Sequence, residues 1–413
     1  MTPHVADATV VDCLHWLEKA RHLLLRHVAA DPDCMERLEE TVQLERFPVW
    51  ETAQLFTAYR TVNRLLAGLP VKLVLPQVTS SGAPCFEIAG RWPWASIPHL
   101  PFSAELGVLW LLIGLLAPSP AHREAARQVG EWHLQLLDCD DRLAKGIFTR
   151  EEDAALPSWL GPLFRGLSRT LRHEGFAAAA EMQPFHPIDA YFERFGPLPN
   201  PFAAPLPASI LDPDLSFVGH RSPRSFRLFT LAGGGTGLGE MSHGSLRILS
   251  FGPHHEPLEE GKGFGIEGRP ISISACSIEG ETVRLAGQMR LTGHPEKMLQ
   301  WRCPAPSAVW VDVAIHSTIE KTDIEMKLLG DLPARCVFYI DADLCQSRDK
   351  KLQAGALNRL SGEGSLIFKR GDEHLTLQSQ MPFEVIPLAG GAHYFGARFL
   401  VSYPLPAEIC ICV

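Results

Sequence analysis

Residues 225–267 read SFRLFTLAGGGTGLGEMSHGSLRILSFGPHHEPLEEGKGFGIE. Two short runs, SFRLFTL and SLRILSF, alternate apolar and polar residues and are rich in residues that suit a half-buried strand. Between them lies a glycine cluster, Gly233 to Gly239. It fits neither phosphate-binding template: the spacing is not GxGxxG, no GK[ST] follows, and the next segment is a strand rather than a helix. A tight turn or bulge, where glycine supplies positive φ without steric cost, is the reading that remains. The stretch marks the place where a chain of helical periodicity becomes a chain of period two.

Upstream of it the signal is helical. Residues 6–29, 35–47 and 52–69 place apolar side chains at intervals of three, four and seven, as one buried helical face requires. Residues 71–89 alternate around an SSG turn and predict a hairpin or extended excursion. Residues 91–102 (RWPWASIPHLPF) read as a loop. Helices return at 103–116 and at 121–137, the latter entered through Ser119-Pro120. A further helix is expected over 158–181, interrupted near Gly161-Pro162. No fixed-period repeat is present. Residues 184–223 carry six prolines between Pro197 and Pro213 alone and predict a connector.

Downstream, about eleven short runs bounded by turn residues succeed one another, and only 350–360 suggests a helix among them. The expected fold class is α+β as separate domains. A helical domain spans 1–195, a proline-rich linker 196–223, and an antiparallel β-sandwich of two sheets 224–413.

Bulk properties narrow the function classes. The chain has 413 residues, 46% hydrophobic and 21% charged, with a formal net charge of −9. That is the composition of a globular protein of two or three domains, without the basic surface that coats nucleic acid. The N-terminus reads as an amphipathic helix rather than an export signal. The most apolar stretch, 106–117, is shorter than the ~20 residues a membrane span needs. Ten cysteines without a CxxC pair predict free thiols and a cytoplasmic setting. Cys410 and Cys412, one residue apart, are expected on the same face of a strand; metal binding there is the lesser alternative, because zinc sites use wider ligand spacing and need partners nearby. No cofactor, nucleic acid or membrane partner is expected.

Several clusters carry groups able to do chemistry. His254 and His255, in GPHHEPLEE, sit beside carboxylates and can act as general acid or base, or bind a metal. A solvated loop is the alternative. With His243 and Glu256 they make a metal-dependent hydrolase a further alternative. His186, Asp189, Tyr191 and Arg194, in PFHPIDAYFERFG, offer an imidazole, a phenol and a cation; aromatic packing explains them equally well. Trp92 and Trp94 offer flat faces that stack on sugar rings. His393 and Tyr394 form another pair, read chiefly as a turn anchor. No serine-nucleophile elbow, HExxH helix or kinase signature occurs.

The helical half followed by an antiparallel sandwich resembles the two-domain polysaccharide lyases of the heparinase II/III type. Residues 106–141, with LGVLWLLIGLL and REAARQVGEWHLQLLDCDD, resemble the paired helices of their incomplete α/α toroid. Residues 237–264 resemble the early strands of their sandwich. The resemblance implies cleavage of an acidic polysaccharide by β-elimination at the junction of the two domains. His186 or Tyr191 from the helical side and His254 or His255 from the β side would be base and acid. Arg194 or Arg269 would meet the uronate carboxylate, and Trp92 and Trp94 the sugar rings. A non-catalytic interaction or scaffold protein of the same fold is the alternative.

Overall fold

The computed structural model describes residues 18–26, 53–84, 100–138, 158–201, 208–212, 217–231, 237–255, 268–292, 306–330, 333–388 and 396–413. Two compact units emerge: Met1–Leu136 with Leu156–Leu206, and Leu137–Ala155 with Pro207–Val413. The first is helical and the second is β.

The helical unit contains α1 (residues 18–26), α2 (Ala53–Leu66), α3 (Leu100–Leu116), α4 (Pro120–Gln135), α5 (Leu160–Leu171), α6 (Glu174–Glu181) and α7 (Asp189–Glu193). Helix α3 is apolar on all sides and is the central element: residues 106 to 113 are buried on every face, and α2, α4 and α5 pack around it. Ser119 is the N-cap of α4 with Pro120 behind it, as expected, although its hydroxyl pairs with Nδ1 of His122 at 2.8 Å rather than with the backbone.

The long helix expected over 158–181 breaks elsewhere than foreseen. Gly161 and Pro162 lie in the first turn of α5, where a missing N–H costs nothing because it has no intrahelical acceptor. The break falls instead at Arg172, which takes a left-handed conformation, and at His173, whose ring accepts the N–H of Phe176 at 3.3 Å and caps α6. Of the excursion expected at 71–89, residues 71–84 are described and carry one antiparallel bridge, from Val78 to Pro84.

Among the described residues, the β unit holds sixteen strands in one sheet. They are β1 (Ser209–Asp212), β2 (Phe217–Arg221), β3 (Ser225–Thr230), β4 (Gly239–His243), β5 (Leu246–His255), β6 (Gly268–Glu279), β7 (Thr282–Thr292) and β8 (Pro306–Ser317). The remainder are β9 (Lys321–Leu329), β10 (Ala334–Asp341), β11 (Leu344–Ser347), β12 (Lys350–Gln353), β13 (Leu360–Arg370), β14 (Glu373–Pro387), β15 (Phe399–Pro404) and β16 (Ala407–Cys412). The main path runs β1-β2-β3-β4-β5-β10-β15-β14-β16-β9-β8-β7-β6, and every pairing is antiparallel.

The expected antiparallel β domain is present, and its described strands form one continuous hydrogen-bonded path. Val218 near one end, Val283 near the other and Phe338 and Leu377 between them share one apolar core. Alternation does the sorting. Along β9, Thr322, Ile324 and Met326 are buried while Lys321, Asp323, Glu325 and Lys327 point outward. Three further differences follow from pairing. Strands β1 and β2 form inside the segment read as a linker, residues 350–353 are strand rather than helix, and the runs at 374–380 and 383–387 are one bulged strand.

The two runs of the opening stretch fold as β3 and β5, while β4, not foreseen, pairs antiparallel with both; residues 232–236 lie outside the described residues. Gly237 has φ +138, and a Cβ there would come within 2.1 Å of Ser250 Oγ and 2.9 Å of the Phe251 carbonyl oxygen. Only glycine lets the returning chain lie this close to β5.

Candidate functional site

In the helical unit, residues 186–194 combine the groups singled out in the sequence. The N–H of His186 donates to Asp189 Oδ2 at 2.8 Å, and the N–H of Ile188 donates to His186 Nδ1 at 3.2 Å. The two bonds fix the turn that leads into α7. Asp189 is also held by Arg165 Nη2 at 2.8 Å. Arg165 in turn donates to the carbonyls of Ala180, at 3.0 Å, and Gln183, at 3.1 Å. His186 is buried and packs on Trp159 with ring centroids 4.4 Å apart. Burial holds its pKa below the ordinary imidazole value, against the pull of Asp189 and Glu105. A neutral ring whose Nδ1 accepts a hydrogen bond carries its proton on Nε2, the one donor left to it.

Tyr191 lies on α7 and is 7% exposed, and its Oη is buried without a hydrogen-bond partner among the described residues. The Arg194 guanidinium sits over the ring, 3.4 Å from its centroid. Burial lowers the pKa of Arg194. Such a cation favours negative charge developing on the phenol beneath it. This short segment thus carries two separate pairs, His186 with Asp189 and Tyr191 with Arg194.

A second polar cluster in this unit escaped the sequence reading. Glu105, fully buried on α3, accepts from Arg21 Nε at 2.5 Å and Nη2 at 2.6 Å, and from the Tyr59 hydroxyl. Burial, reinforced by the charge of Glu105, pushes the Tyr59 phenol well above its ordinary pKa, against the lowering effect of Arg21. One turn beyond Tyr59 on α2, Asn63 is 3% exposed, and neither end of its amide has a partner among the described residues. The sequence did carry a signal: Glu105 is the only charged residue in an otherwise apolar helix, and such a residue needs a buried partner.

In the β unit, His254 is buried on β5 opposite Arg335, and His255 is opposite Ala334. Both therefore belong to a strand, not to the solvated loop that was the alternative. Arg269 belongs to β6, opposite Arg290. The side chains of His255 and Arg269, together with Trp92, Trp94, Glu256, His393 and Tyr394, lie outside the described residues. His243 does not join His254. The register sets it opposite Leu246 at the far end of β5, about 26 Å from residue 254 at ~3.3 Å per residue. Its Nδ1 pairs with Ser225 Oγ at 2.7 Å. Among the described residues, no group of three or more His, Cys, Asp and Glu side chains is arranged to hold a metal.

The β unit also carries an open groove of about 1250 Å³ across its outer face. Arg284, His316, Glu325, Lys327, Gln378 and Glu408 are among the residues that line it, and none of the residues singled out as catalytic or substrate-binding does. Buried Arg227, on β3, is architectural: it donates to Ser317 Oγ at 3.0 Å and to the carbonyls of Ile319 and Lys321, fastening β3 to the β8–β9 turn.

These helices and this antiparallel sheet make a polysaccharide-lyase-like fold. Among solved structures, the chain is similar to the chondroitin AC lyase of Streptomyces coelicolor A3, in a structure with chondroitin sulphate, at TM-score 0.50 and 9% identity over 86% of this chain. It is also similar to a mutant of the heparan sulfate lyase HepC from Pedobacter heparinus, at TM-score 0.45, 10% identity and 87% coverage. A Paenibacillus xanthan lyase is similar at TM-score 0.46, 6% identity and 86% coverage. The chain spans 59%, 56% and 42% of those three chains, respectively. No protein-family model matches the sequence, and no curated protein matches it. Among the described residues, no helix is long and apolar enough to cross a membrane.

Proposed function

We propose that this protein is a carbohydrate-active enzyme that cleaves an acidic polysaccharide by β-elimination. The observation that carries the reading is Tyr191: a phenol with an unpartnered, buried Oη among the described residues and a guanidinium 3.4 Å over its ring. β-Elimination needs a base to take the proton α to a uronate carboxylate, a counter-charge for the enolate, and an acid for the leaving oxygen. Tyr191 is suited to the first role and Arg194 to the second. His186 offers an Nε2–H as acid. The finer architecture that goes with this reading is a helical incomplete toroid and a β-sandwich, in a cytoplasmic protein.

The test is incubation of the purified chain with uronate-containing polysaccharides, followed by the ultraviolet absorbance of the new double bond. Tyr191→Phe and His254→Ala are run in parallel. Signal on at least one substrate, abolished by Tyr191→Phe while the fold persists, supports the proposal; silence on every substrate overturns it. A second reading, a non-catalytic scaffold of the same fold, is favoured by one observation: His186 Nδ1 already accepts a backbone N–H in the turn that leads into α7.

A further inference from the structure

Strand β16 carries two cysteines on one face. Cys410 and Cys412 are both half-buried, their sulfurs are 3.5 Å apart, and Cys410 lies in the wall of the open groove. Their surroundings are set by register. Gln378 and Thr376 of β14 lie opposite them on one side, and Asp323 and Lys321 of β9 on the other. His316 of β8 lies opposite Asp323 in the next strand. Asp323 Oδ2 is 2.8 Å from Lys321 Nζ and is also hydrogen-bonded to Cys410.

The geometry discriminates between two fates for such a pair. A disulfide needs the sulfurs at ~2.05 Å and the Cβ atoms at about 3.8 Å. Residues two apart on an extended strand have Cα atoms about 6.6 Å apart and side chains that stand nearly parallel. The two sulfurs, 3.5 Å apart, are not bonded, and β16 is hydrogen-bonded on both edges, to β9 and β14. A single atom bridging the two sulfurs requires far less. With metal–sulfur bonds of ~2.3 Å and a tetrahedral angle, the sulfurs sit about 3.8 Å apart, within a few tenths of the separation already present.

We propose that Cys410 and Cys412 form a two-thiolate binding site for a thiophilic divalent cation of the zinc class. The two sulfurs are the protein ligands, and solvent from the groove completes the coordination. Asp323 stays paired with Lys321 and contributes no bond to the cation. Two thiol protons leave to solvent as the cation binds, so binding strengthens as pH rises. The inference rests on the β unit alone and is independent of the lyase reading.

The test uses the full chain, reduced and free of oxygen, titrated with Zn²⁺ in competition with a chromogenic chelator. Wild type, Cys410→Ser, Cys412→Ser and, as a background control, Cys276→Ser are compared. Wild type and Cys276→Ser should hold one equivalent more than either β16 variant, or bind it at least about ten-fold more tightly. Cd²⁺ should give a thiolate charge-transfer band that the same two variants lack. Because a serine variant can fail to fold, the wild-type chain supplies a second readout: Zn²⁺ should slow alkylation of Cys410 and Cys412, mapped by mass spectrometry, and a chelator should restore it. Equal zinc binding in all four proteins, alkylation insensitive to Zn²⁺, or a mapped Cys410–Cys412 disulfide after mild oxidation would overturn the proposal.

Discussion

Replacing Glu105 by glutamine keeps the shape of the side chain and removes its charge from the interior of the helical unit. The carboxylate is fully buried and accepts three hydrogen bonds, two from Arg21 and one from Tyr59. Bonds to an ionised acceptor contribute about 1.5–3 kcal/mol each and neutral ones about 0.5–1.5, so each bond retained by the amide loses about 1 kcal/mol. The amide also turns an NH₂ group toward a donor, leaving a buried donor unsatisfied at about 1–3 kcal/mol. The sum is about 3–5 kcal/mol, the range for breaking a buried ion pair. Arg21 is one-fifth exposed and recovers part of this through water, which brings the expected loss to about 3 kcal/mol. Tyr59→Phe removes one bond and gains a little apolar burial, so about 1–2 kcal/mol is expected, and the two changes should couple because they share an acceptor. Urea unfolding followed by helical circular dichroism measures all three quantities. A Glu105→Gln loss below about 1 kcal/mol would refute the argument, because it would mean that the charge contributes no more than a neutral group does.

Further expectations concern other elements. Burial lowers the pKa of His186 below its unfolded value, so its neutral form contributes stability that is complete above about pH 6.5 and is lost as pH falls toward the folded pKa. His186→Gln should therefore flatten the decline in helical-unit stability between pH 7 and 5, and an unchanged slope would remove His186 from the account. Gly237→Ala adds a Cβ within 2.1 Å of Ser250 Oγ at a φ that L-residues avoid, and should cost about 3 kcal/mol in thermal unfolding. Adding Ser250→Ala should return only part of it, because the Phe251 carbonyl oxygen remains 2.9 Å away. Tyr191→Phe should leave unfolding nearly unchanged, since the hydroxyl it removes has no hydrogen bond to lose among the described residues.

Much of the fold was legible in order along the chain. Helical periodicity upstream of residue 184 and period-two alternation downstream are local signals, written by which side chains must face an apolar core. Errors arose where a local signal met a non-local partner. Pro162 reads as a breaker and is harmless because it falls in a first turn. Residues 350–353 read as helix and become strand because β11 offers hydrogen bonds. The proline-rich segment reads as a connector, yet β2 completes the edge of β3.

The candidate site divides in the same way. That His186 lies beside Asp189 and Tyr191 beside Arg194 follows from residues this close in sequence sharing one short helix and the turn before it. The distance from His243 to His254 was not readable, because it depends on where β4 and β5 exchange hydrogen bonds. Nor was the partnership of Arg21, Tyr59 and Glu105, contributed by three helices, or that of Asp323 with Cys410, contributed by adjacent strands far apart in the chain. Sequence alone determined the type of element and which face of it is apolar, since both depend on neighbours within a few residues. Tertiary structure decided which charges meet and which thiols share a wall, because these depend on strand register and on which helices pack, and those follow from the fold of the whole unit.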